Sequence, residues 1–301
     1  MKKLCVCILT NHDLEKLKRL VISIQEQVPT DTLHLEPVIV VNTLSDEYYD
    51  SVLAEDFPYR VVRTESNGKP GKGKNSCHDV FLETDCDYMS QIDGDDICYP
   101  TYALSLERHL NHFGHIDVLG VVPCDVLEEN ENNAGYKFEI AENRHVSVWG
   151  VSTCPRFTDG PSGPQRADAF FECELPMTDN YVILQSRKAA ESVRIDESIG
   201  CSEDQLFNYQ YMAEHVNMNL SYFITMSSDF QIYDRTTPNS AQKTYAQAEW
   251  TGMIKEKILE LLPEHRTCVS ELPVIYHELL INQFEKELWL RDFHSRYPEL
   301  F

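Results

Sequence analysis

The chain has 301 residues, of which 42% are hydrophobic and 10% aromatic, and this composition excludes an intrinsically disordered protein. The length allows one large core, or one core with a smaller appendage. The 49 Asp and Glu residues against 26 Lys and Arg residues give a formal net charge of −23. Such a field disfavours proteins that hold nucleic acid mainly through phosphate contacts.

The cysteines and apolar runs indicate the compartment. Ten cysteines occur without a Cys-x-x-Cys pair, so neither a zinc ribbon nor a thioredoxin-like site is predicted. The apolar run at residues 4–9 is too short for a signal peptide, and no later run approaches the roughly 18 to 20 residues that span a bilayer. We therefore expect a cytoplasmic protein with reduced thiols and no membrane span.

Strands and helices are predicted to alternate over the first 120 residues. Four strands are predicted at residues 4–10, 37–42, 59–64 and 88–92. After the first strand, apolar residues recur at helical spacing, with Asn11 or Asp13 as the N-cap: Leu14, Leu17, Val21, Ile24 and Val28. Another helix is predicted to begin at Pro100 and to stop at Gly114. The alternation predicts an α/β fold, in which ligands bind at the carboxyl ends of the strands.

An acidic turn, Asp93-Gly94-Asp95-Asp96, follows the fourth predicted strand. Several carboxylates in a tight turn suit a hard divalent cation, because such cations take oxygen ligands. The alternative interpretation is a solvated Asp-Gly turn without a ligand. The sequence alone leaves both interpretations open.

A Gly and Lys segment at residues 68–75 is predicted to be a loop between a strand and a helix. Backbone and ammonium groups in such loops can neutralise phosphate. Gly68, Gly73 and Lys74 fit the P-loop pattern, but Asn75 stands where a Ser or Thr hydroxyl should meet magnesium. A P-loop-like phosphotransferase or NTPase and a plain flexible loop are the two alternatives to a nucleotide contact.

The order of these motifs resembles inverting GT-A glycosyltransferases of the nucleotide-diphospho-sugar transferase superfamily. The resemblance begins with residues 5–11, 38–42, 72–75 and 88–96. Residues 202–207 resemble the family's Glu-Asp motif, and residues 233–240 resemble its late Arg and Ser loop. The resemblance implies a GT-A, Rossmann-like fold with a mainly parallel sheet flanked by helices.

The family's functional residues can be carried onto this chain position by position. Asp93 and Asp95 would hold the divalent metal, Mn²⁺ or Mg²⁺, and Asp93 would also approach the nucleotide-sugar donor, most often a UDP-sugar in such enzymes. The residues implied at the donor are Thr10, Asn11, Asn42, Lys72, Lys74, Asn75, Arg235 and Ser240. The family usually has an acidic residue against the base where this chain has Asn42, so the resemblance leaves the base specificity open.

Asp204, with Glu203 beside it, is implied as the catalytic base. An acceptor hydroxyl must lose its proton during attack, and a positioned carboxylate contributes about 10²- to 10⁴-fold in rate. The alternative interpretation is an ordinary helix N-terminus, which favours acidic residues. Because His12, His78 and His215 lie outside the late loop, no histidine is predicted as a metal ligand.

The resemblance divides the chain into residues 1–240, the GT-A domain, and residues 241–301, a helical extension. Residues 1–120 would bind the nucleotide sugar, and residues 121–240 would bind the acceptor and complete the catalytic site. The irregular segment at residues 150–180, with Trp149 before it and Phe157, Phe170 and Phe171 within it, predicts either an acceptor wall or a packed surface loop. Two apolar stripes in the extension predict a helical cap or a homo-oligomer contact: Trp250, Ile254, Ile258 and Leu261, and then Ile281, Phe284 and Leu288.

The resemblance implies transfer of a sugar to an acceptor hydroxyl with inversion, on a saccharide or glycoconjugate. Three alternatives stand beside it. They are a virus-encoded enzyme that glycosylates hydroxymethylated DNA bases in the host cytoplasm, the P-loop phosphotransferase, and a binding module that keeps the nucleotide-sugar pocket without turnover.

Overall fold

The computed structural model describes most of the chain before residue 122 and parts of the remainder. The described residues are 1–121, 125–129, 136–139, 157–160, 163–166, 181–201, 203–215, 217–225, 227–236, 253, 257, 274–275 and 280–301. Ser240, the first apolar stripe of the extension and most of residues 150–180 lie outside this range.

The first half alternates strands and helices as the sequence predicts. Its elements are β1 (Lys2–Thr10), α1 (Leu14–Gln25), β2 (Leu33–Val41), α2 (Asp46–Ala54), β3 (Arg60–Arg63), α3 (Pro70–Leu82), β4 (Tyr88–Asp93), β5 (Ile97–Cys98) and α4 (Tyr102–Phe113). Asp13 is the N-cap of α1, and its side chain accepts a hydrogen bond from the Lys16 amide. Gly114 ends α4 with φ of 73°, a left-handed conformation that glycine adopts without a steric penalty.

The second half adds shorter strands and the remaining helices. They are β6 (Val118–Val121), β7 (Asp125–Glu129), β8 (Tyr136–Glu139), β9 (Phe157–Gly160), β10 (Gly163–Arg166), β11 (Tyr181–Ser186), α5 (Arg187–Ser192), α6 (Glu203–Glu214), β12 (Tyr222–Thr225), β13 (Gln231–Asp234), β14 (Val274–Ile275) and α7 (Gln283–Arg296). A single 3₁₀ turn, Pro298–Leu300, follows α7.

Eight strands form one sheet in the order β14-β12-β6-β11-β4-β1-β2-β3. Only β11 is antiparallel to its neighbours β4 and β6, and the other described pairs are parallel. The centre of β1 is fully buried because its side chains pack into apolar clusters on both faces of the sheet. This confirms the predicted mainly parallel sheet flanked by helices, with a C-terminal helix.

Two local predictions are wrong. Helix α1 ends at Gln25, and Val28 is 40% exposed, because Pro29 disfavours helical backbone at the residue before it. Helix α4 begins at Tyr102 rather than at Pro100. In the second predicted stripe of the extension Ile281 is buried, whereas Phe284 and Leu288 of α7 are 68% and 47% exposed.

Helix α7 instead packs through Lys286, Leu290 and Phe293, which are buried. These positions have helical spacing, but one of them is a lysine. A search for apolar residues alone therefore does not detect the stripe. The Lys286 ammonium lies 2.9 Å from Asp125 Oδ2 and donates to Ser228 Oγ at 2.5 Å. The hydroxyl of Tyr99 also donates to Asp125 Oδ2, at 2.6 Å. A buried ion pair therefore attaches α7 to a second sheet of order β5-β13-β7-β8.

Replacing Lys286 with methionine should lower the free energy of unfolding by about 3 to 5 kcal/mol, because Asp125 would stay buried without its counter-ion. Urea denaturation followed by circular dichroism measures the change. The double variant Lys286→Met with Asp125→Asn should regain part of the loss, since the uncompensated charge is then gone. A single variant as stable as the wild type would show that the ion pair does not hold the helix.

Candidate active site

The first site residues lie where three adjacent strands end. In the parallel register Thr10 of β1 is paired with Val41 of β2, and Leu9 is paired with Asp93 of β4. Asn42 directly follows β2, and its main-chain amide donates to the main-chain carbonyl of Thr10 at 2.8 Å. The carboxyl edge of the sheet therefore brings Thr10, Asn42 and Asp93 together, at the place where α/β sheets bind ligands.

The acidic turn is folded against the end of β1, and Gly94 makes this possible. The Gly94 amide donates to the Leu9 carbonyl at 2.7 Å. A Cβ at position 94 would lie 2.9 Å from Thr10 Cβ and 3.0 Å from the Leu9 carbonyl oxygen, closer than side-chain carbons normally approach. Only glycine therefore fits at position 94. The contact with β1 is made by the residue between Asp93 and Asp95.

The third aspartate of the turn, Asp96, is a structural anchor. It is 2% exposed and accepts hydrogen bonds at 3.1 Å from Gln231 Nε2 and from the Asp234 amide. Burial raises the pKa of Asp96, and the nearby charges of Asp95 and Asp93 raise it further. Asp93 and Asp95 are partly exposed, so these two carboxylates are the ones that a ligand can reach.

The predicted loop at residues 68–75 is wrong from Pro70 onward, because Lys72, Lys74 and Asn75 belong to helix α3. Pro70 begins the helix, where its missing amide costs nothing. The Asn75 side chain donates to the Ile195 carbonyl at 2.9 Å and accepts from the Ile195 amide at 3.0 Å. Lys72 Nζ lies 3.7 Å from Glu197 Oε2. These two side chains face the segment before α6.

Lys74 connects the acidic turn to the start of α6. Its Nζ lies 2.7 Å from Glu203 Oε1, with the two side chains 13% and 5% exposed. Burial lowers the pKa of Lys74, but the charges of Glu203, Asp204 and Asp93 outweigh it and hold that pKa well above its ordinary value. Side chains from α3, β4 and α6 therefore meet at one place, although they are separated by up to 130 residues in sequence.

The base candidate lies beside this ion pair. Glu203 and Asp204 form the first turn of α6, where the helix dipole favours negative charge. Burial raises the pKa of Glu203, and Lys74 opposes that rise. Glu203 is 4% exposed and forms an ion pair with Lys74, whereas Asp204 is partly exposed. Asp204 is thus the more accessible carboxylate of the two.

Tyr233 on β13 is a site residue that sequence reasoning missed. Burial raises the pKa of its phenol, and the charges of Asp96, Asp93, Asp204 and Asp95 raise it further. This phenol therefore lies among the carboxylates of the acidic turn and α6. The guanidinium of Arg235 lies 5.6 Å from the centre of the Tyr233 ring, which places the exposed Arg235 next to the same group. The only sequence signal was that Tyr233 begins the late Arg and Ser segment.

The remaining residues predicted at the nucleotide-sugar donor lie near the ends of β1 and β2. Thr10 Oγ1 shares a hydrogen bond with the hydroxyl of Tyr48, a second residue that was missed. Burial raises the pKa of Tyr48 to about 12, and Asp13 and Asp95 add to the rise. Asn11 is exposed and bonded to the His12 ring.

Asn42 is 4% exposed and has a fixed amide orientation. Its Nδ2 donates to the Glu65 carbonyl at 2.7 Å and to Thr64 Oγ1 at 2.9 Å. Because a main-chain carbonyl can only accept, the atom facing Glu65 must be the nitrogen. A Cβ at position 73 would lie 3.3 Å from Asn42 Oδ1, so Gly73 leaves space beside this acceptor oxygen.

No protein-family model matches the chain, and no curated protein matches it. Among solved structures, it is similar to S. aureus TarS 1-349 in complex with UDP-GlcNAc, with 16% identity and a TM-score of 0.52 over 100% of this chain and 84% of that one. A further structure of S. aureus TarS gives 17% identity and a TM-score of 0.48, and this chain spans half of its length. The chain has a GT-A-type fold. At this identity the similarity establishes the fold alone.

In this GT-A fold the acidic turn can supply two ligands to a divalent ion. Among the residues that the structure describes, only Glu36, Asp85 and Cys86 form a trio of potential ligands within 4.8 Å of one another. The Lys3 ammonium already lies 3.0 Å from Glu36 and 2.8 Å from Asp85. Two carboxylates completed by substrate phosphate and water are an ordinary donor set for Mg²⁺, so Asp93 and Asp95 fit a metal that binds together with a nucleotide.

None of the helices in the described part of this GT-A fold combines the length and apolar character that a membrane span requires.

Replacing Gly94 with alanine should lower the free energy of unfolding by about 1 to 3 kcal/mol, because the new methyl group would push the acidic turn away from β1. Thermal unfolding measures the effect. Gly114→Ala is the matched control, since a Cβ at position 114 meets nothing within 4 Å and only the positive φ is strained. Wild-type stability of Gly94→Ala would contradict the role given to this contact.

Proposed function

We propose that the chain is a metal-dependent glycosyltransferase that moves a sugar from a nucleotide-diphosphate sugar, a UDP-sugar, to an acceptor hydroxyl with inversion. The observation that carries this proposal is the meeting of Lys74, Asp93, Glu203 and Asp204 at the carboxyl edge of a GT-A fold. A protein of similar fold, S. aureus TarS 1-349, has been crystallised with UDP-GlcNAc. The proposal therefore rests on the fold and on independently placed chemical groups.

Asn42 supports uracil as the base of the donor. Its amide nitrogen is engaged by Glu65 and Thr64, so Oδ1 is the atom that remains as an acceptor. Uracil N3 carries a hydrogen and donates, whereas cytosine N3 only accepts. We propose that Asn42 accepts from uracil N3–H in place of the acidic residue that the resembling family usually has there.

Asp93 and Asp95 are proposed as the metal ligands. A bound divalent ion would neutralise negative charge on the departing nucleoside diphosphate. Arg235 is exposed on the segment after β13, beside Tyr233, and is proposed to bind the diphosphate as well. The ion and Arg235 would then both supply positive charge at the leaving group.

Asp204 is proposed to accept the proton of the acceptor hydroxyl. Lys74 holds Glu203 at 2.7 Å and carries a high pKa, so this ammonium stays charged and the α6 N-terminus stays next to the acidic turn. The geometry favours this holding role over the direct phosphate contact that the sequence predicts for Lys74. Asp204 then reaches the acceptor side with its neighbour Glu203 compensated.

The position of α3 argues against the P-loop alternative. A P-loop wraps phosphates with backbone amides of a loop that precedes the helix. Here the helix begins at Pro70, so Gly73 and Lys74 lie inside α3, and the Lys74 ammonium is paired with Glu203. Asn75 is engaged by Ile195 rather than directed at a magnesium ion.

Incubating the protein with UDP-, GDP- and CDP-sugars should give slow hydrolysis of a UDP-sugar that requires Mn²⁺ or Mg²⁺ and stops when EDTA removes the ion. Asp95→Ala should abolish the metal effect. Asp204→Asn should keep UDP affinity and lower the rate about 10²- to 10⁴-fold, because it removes the base without touching the donor site.

Asp85→Asn is the matched control, since it removes one exposed carboxylate far from the acidic turn. Metal-independent turnover, or full activity in Asp95→Ala, would contradict the proposal. ATP hydrolysis that disappears in Lys74→Ala and survives in Asp204→Asn would favour the phosphotransferase instead.

A further inference from the structure

A buried arginine lies directly behind the acidic turn. Arg19 of α1 is 0% exposed, and its Nη2 donates to the main-chain carbonyl of Asp95 at 2.5 Å. The same nitrogen donates to Asp234 Oδ2 at 2.5 Å. One guanidinium nitrogen therefore joins the backbone of a proposed metal ligand to the end of β13.

Asp234 extends this connection to the late segment. Burial raises the pKa of Asp234, but Arg19 and Lys16 outweigh it, so its pKa lies below the ordinary value and the group stays charged. Its Oδ1 accepts from the Thr236 amide at 2.6 Å, and its own amide donates to Asp96 Oδ1 at 3.1 Å. Asp234 thus binds both the acidic turn and Thr236, the residue that follows Arg235.

The partners of Arg19 do not resemble those of a residue kept for stability. Its Nε and Nη1 are buried without a hydrogen-bond partner in the described structure, which leaves a desolvation cost unmet. Lys286, the comparable fully buried cation, donates to Asp125 and to two oxygens of Ser228. An apolar pair in place of Arg19 and Asp234 would avoid this cost. What Arg19 adds is the fixed geometry of the Asp95 backbone.

We propose that Arg19 is a positioning residue for the metal site. It holds the main chain at Asp95 and, through Asp234, fixes the segment that carries Arg235, so that the carboxylate and the guanidinium stay in one arrangement around the leaving diphosphate. The proposal rests on the proposed function. Groups that orient metal ligands typically change metal affinity 10- to 100-fold when removed, although they never touch the ion.

The test is Mn²⁺ binding, measured by electron paramagnetic resonance in the presence of UDP, on wild type, Arg19→Met, Arg19→Lys and Lys286→Met. Arg19→Met should weaken Mn²⁺ binding by about 10- to 100-fold. Arg19→Lys should be intermediate, because one ammonium can bond the Asp95 carbonyl but lacks the planar fork that holds two partners. Lys286→Met removes the buried cation that is paired with Asp125. This variant should lose stability and keep the wild-type Mn²⁺ affinity.

Wild-type Mn²⁺ affinity in a folded Arg19→Met protein would overturn the positioning role. If that variant does not fold, Arg19→Lys decides: weakened Mn²⁺ binding supports the role, and unchanged binding overturns it. An equal loss of Mn²⁺ affinity in Lys286→Met would also overturn it, since general destabilisation would then explain the effect. Absence of Mn²⁺ binding by the wild type is a different outcome, because it overturns the proposed function itself.

Discussion

Five carboxylates lie at one edge of the sheet, and their mutual repulsion is the constraint on which the site depends. Glu203 is compensated by Lys74 at 2.7 Å, and Asp96 is held by Gln231 and by a backbone amide. Asp93, Asp95 and Asp204 remain partly exposed at the same edge. Like charges placed this close require a cation or a raised pKa. The proposed divalent ion, bound with a diphosphate, would meet that requirement at Asp93 and Asp95.

The same charges explain why two buried basic residues flank the acidic turn. Lys74 lies on its α6 side, and Arg19 lies behind it with Asp234 as counter-ion. Lys74 comes from α3, which packs against β1, and Arg19 comes from α1, which packs against β5 directly after the acidic turn. The two residues therefore contact the turn from different helices, and Asp93 and Asp95 stay partly exposed.

Much of the fold could be predicted because short sequence patterns indicate its strands and helices. The apolar runs gave β1 and β4, and helical spacing gave α1, whose Asp13 cap was one of two proposed. Local patterns also misled: glycines and lysines suggested a loop where Pro70 starts α3. In α7 the buried positions include Lys286, which a search for apolar residues does not find.

The site was only partly predictable for a related reason. Asp93, Asp95 and Asp204 could be proposed because carboxylates in short motifs are visible in one sequence. Arg19, Tyr48, Tyr233 and Asp234 could not, since their partners lie up to 215 residues away and no local pattern marks such contacts. Asn75 was predicted in a loop, yet it lies in α3 with its side-chain amide bonded to the backbone of Ile195.

The central claim is that Asp93 and Asp95 bind a divalent ion together with a nucleoside diphosphate. Isothermal titration calorimetry of UDP into the wild-type protein, once with EDTA and once with Mn²⁺, tests it most directly. The account predicts that Mn²⁺ tightens UDP binding by about 10-fold or more, as expected for two ligands that share one site. The same UDP affinity with and without the ion would contradict it.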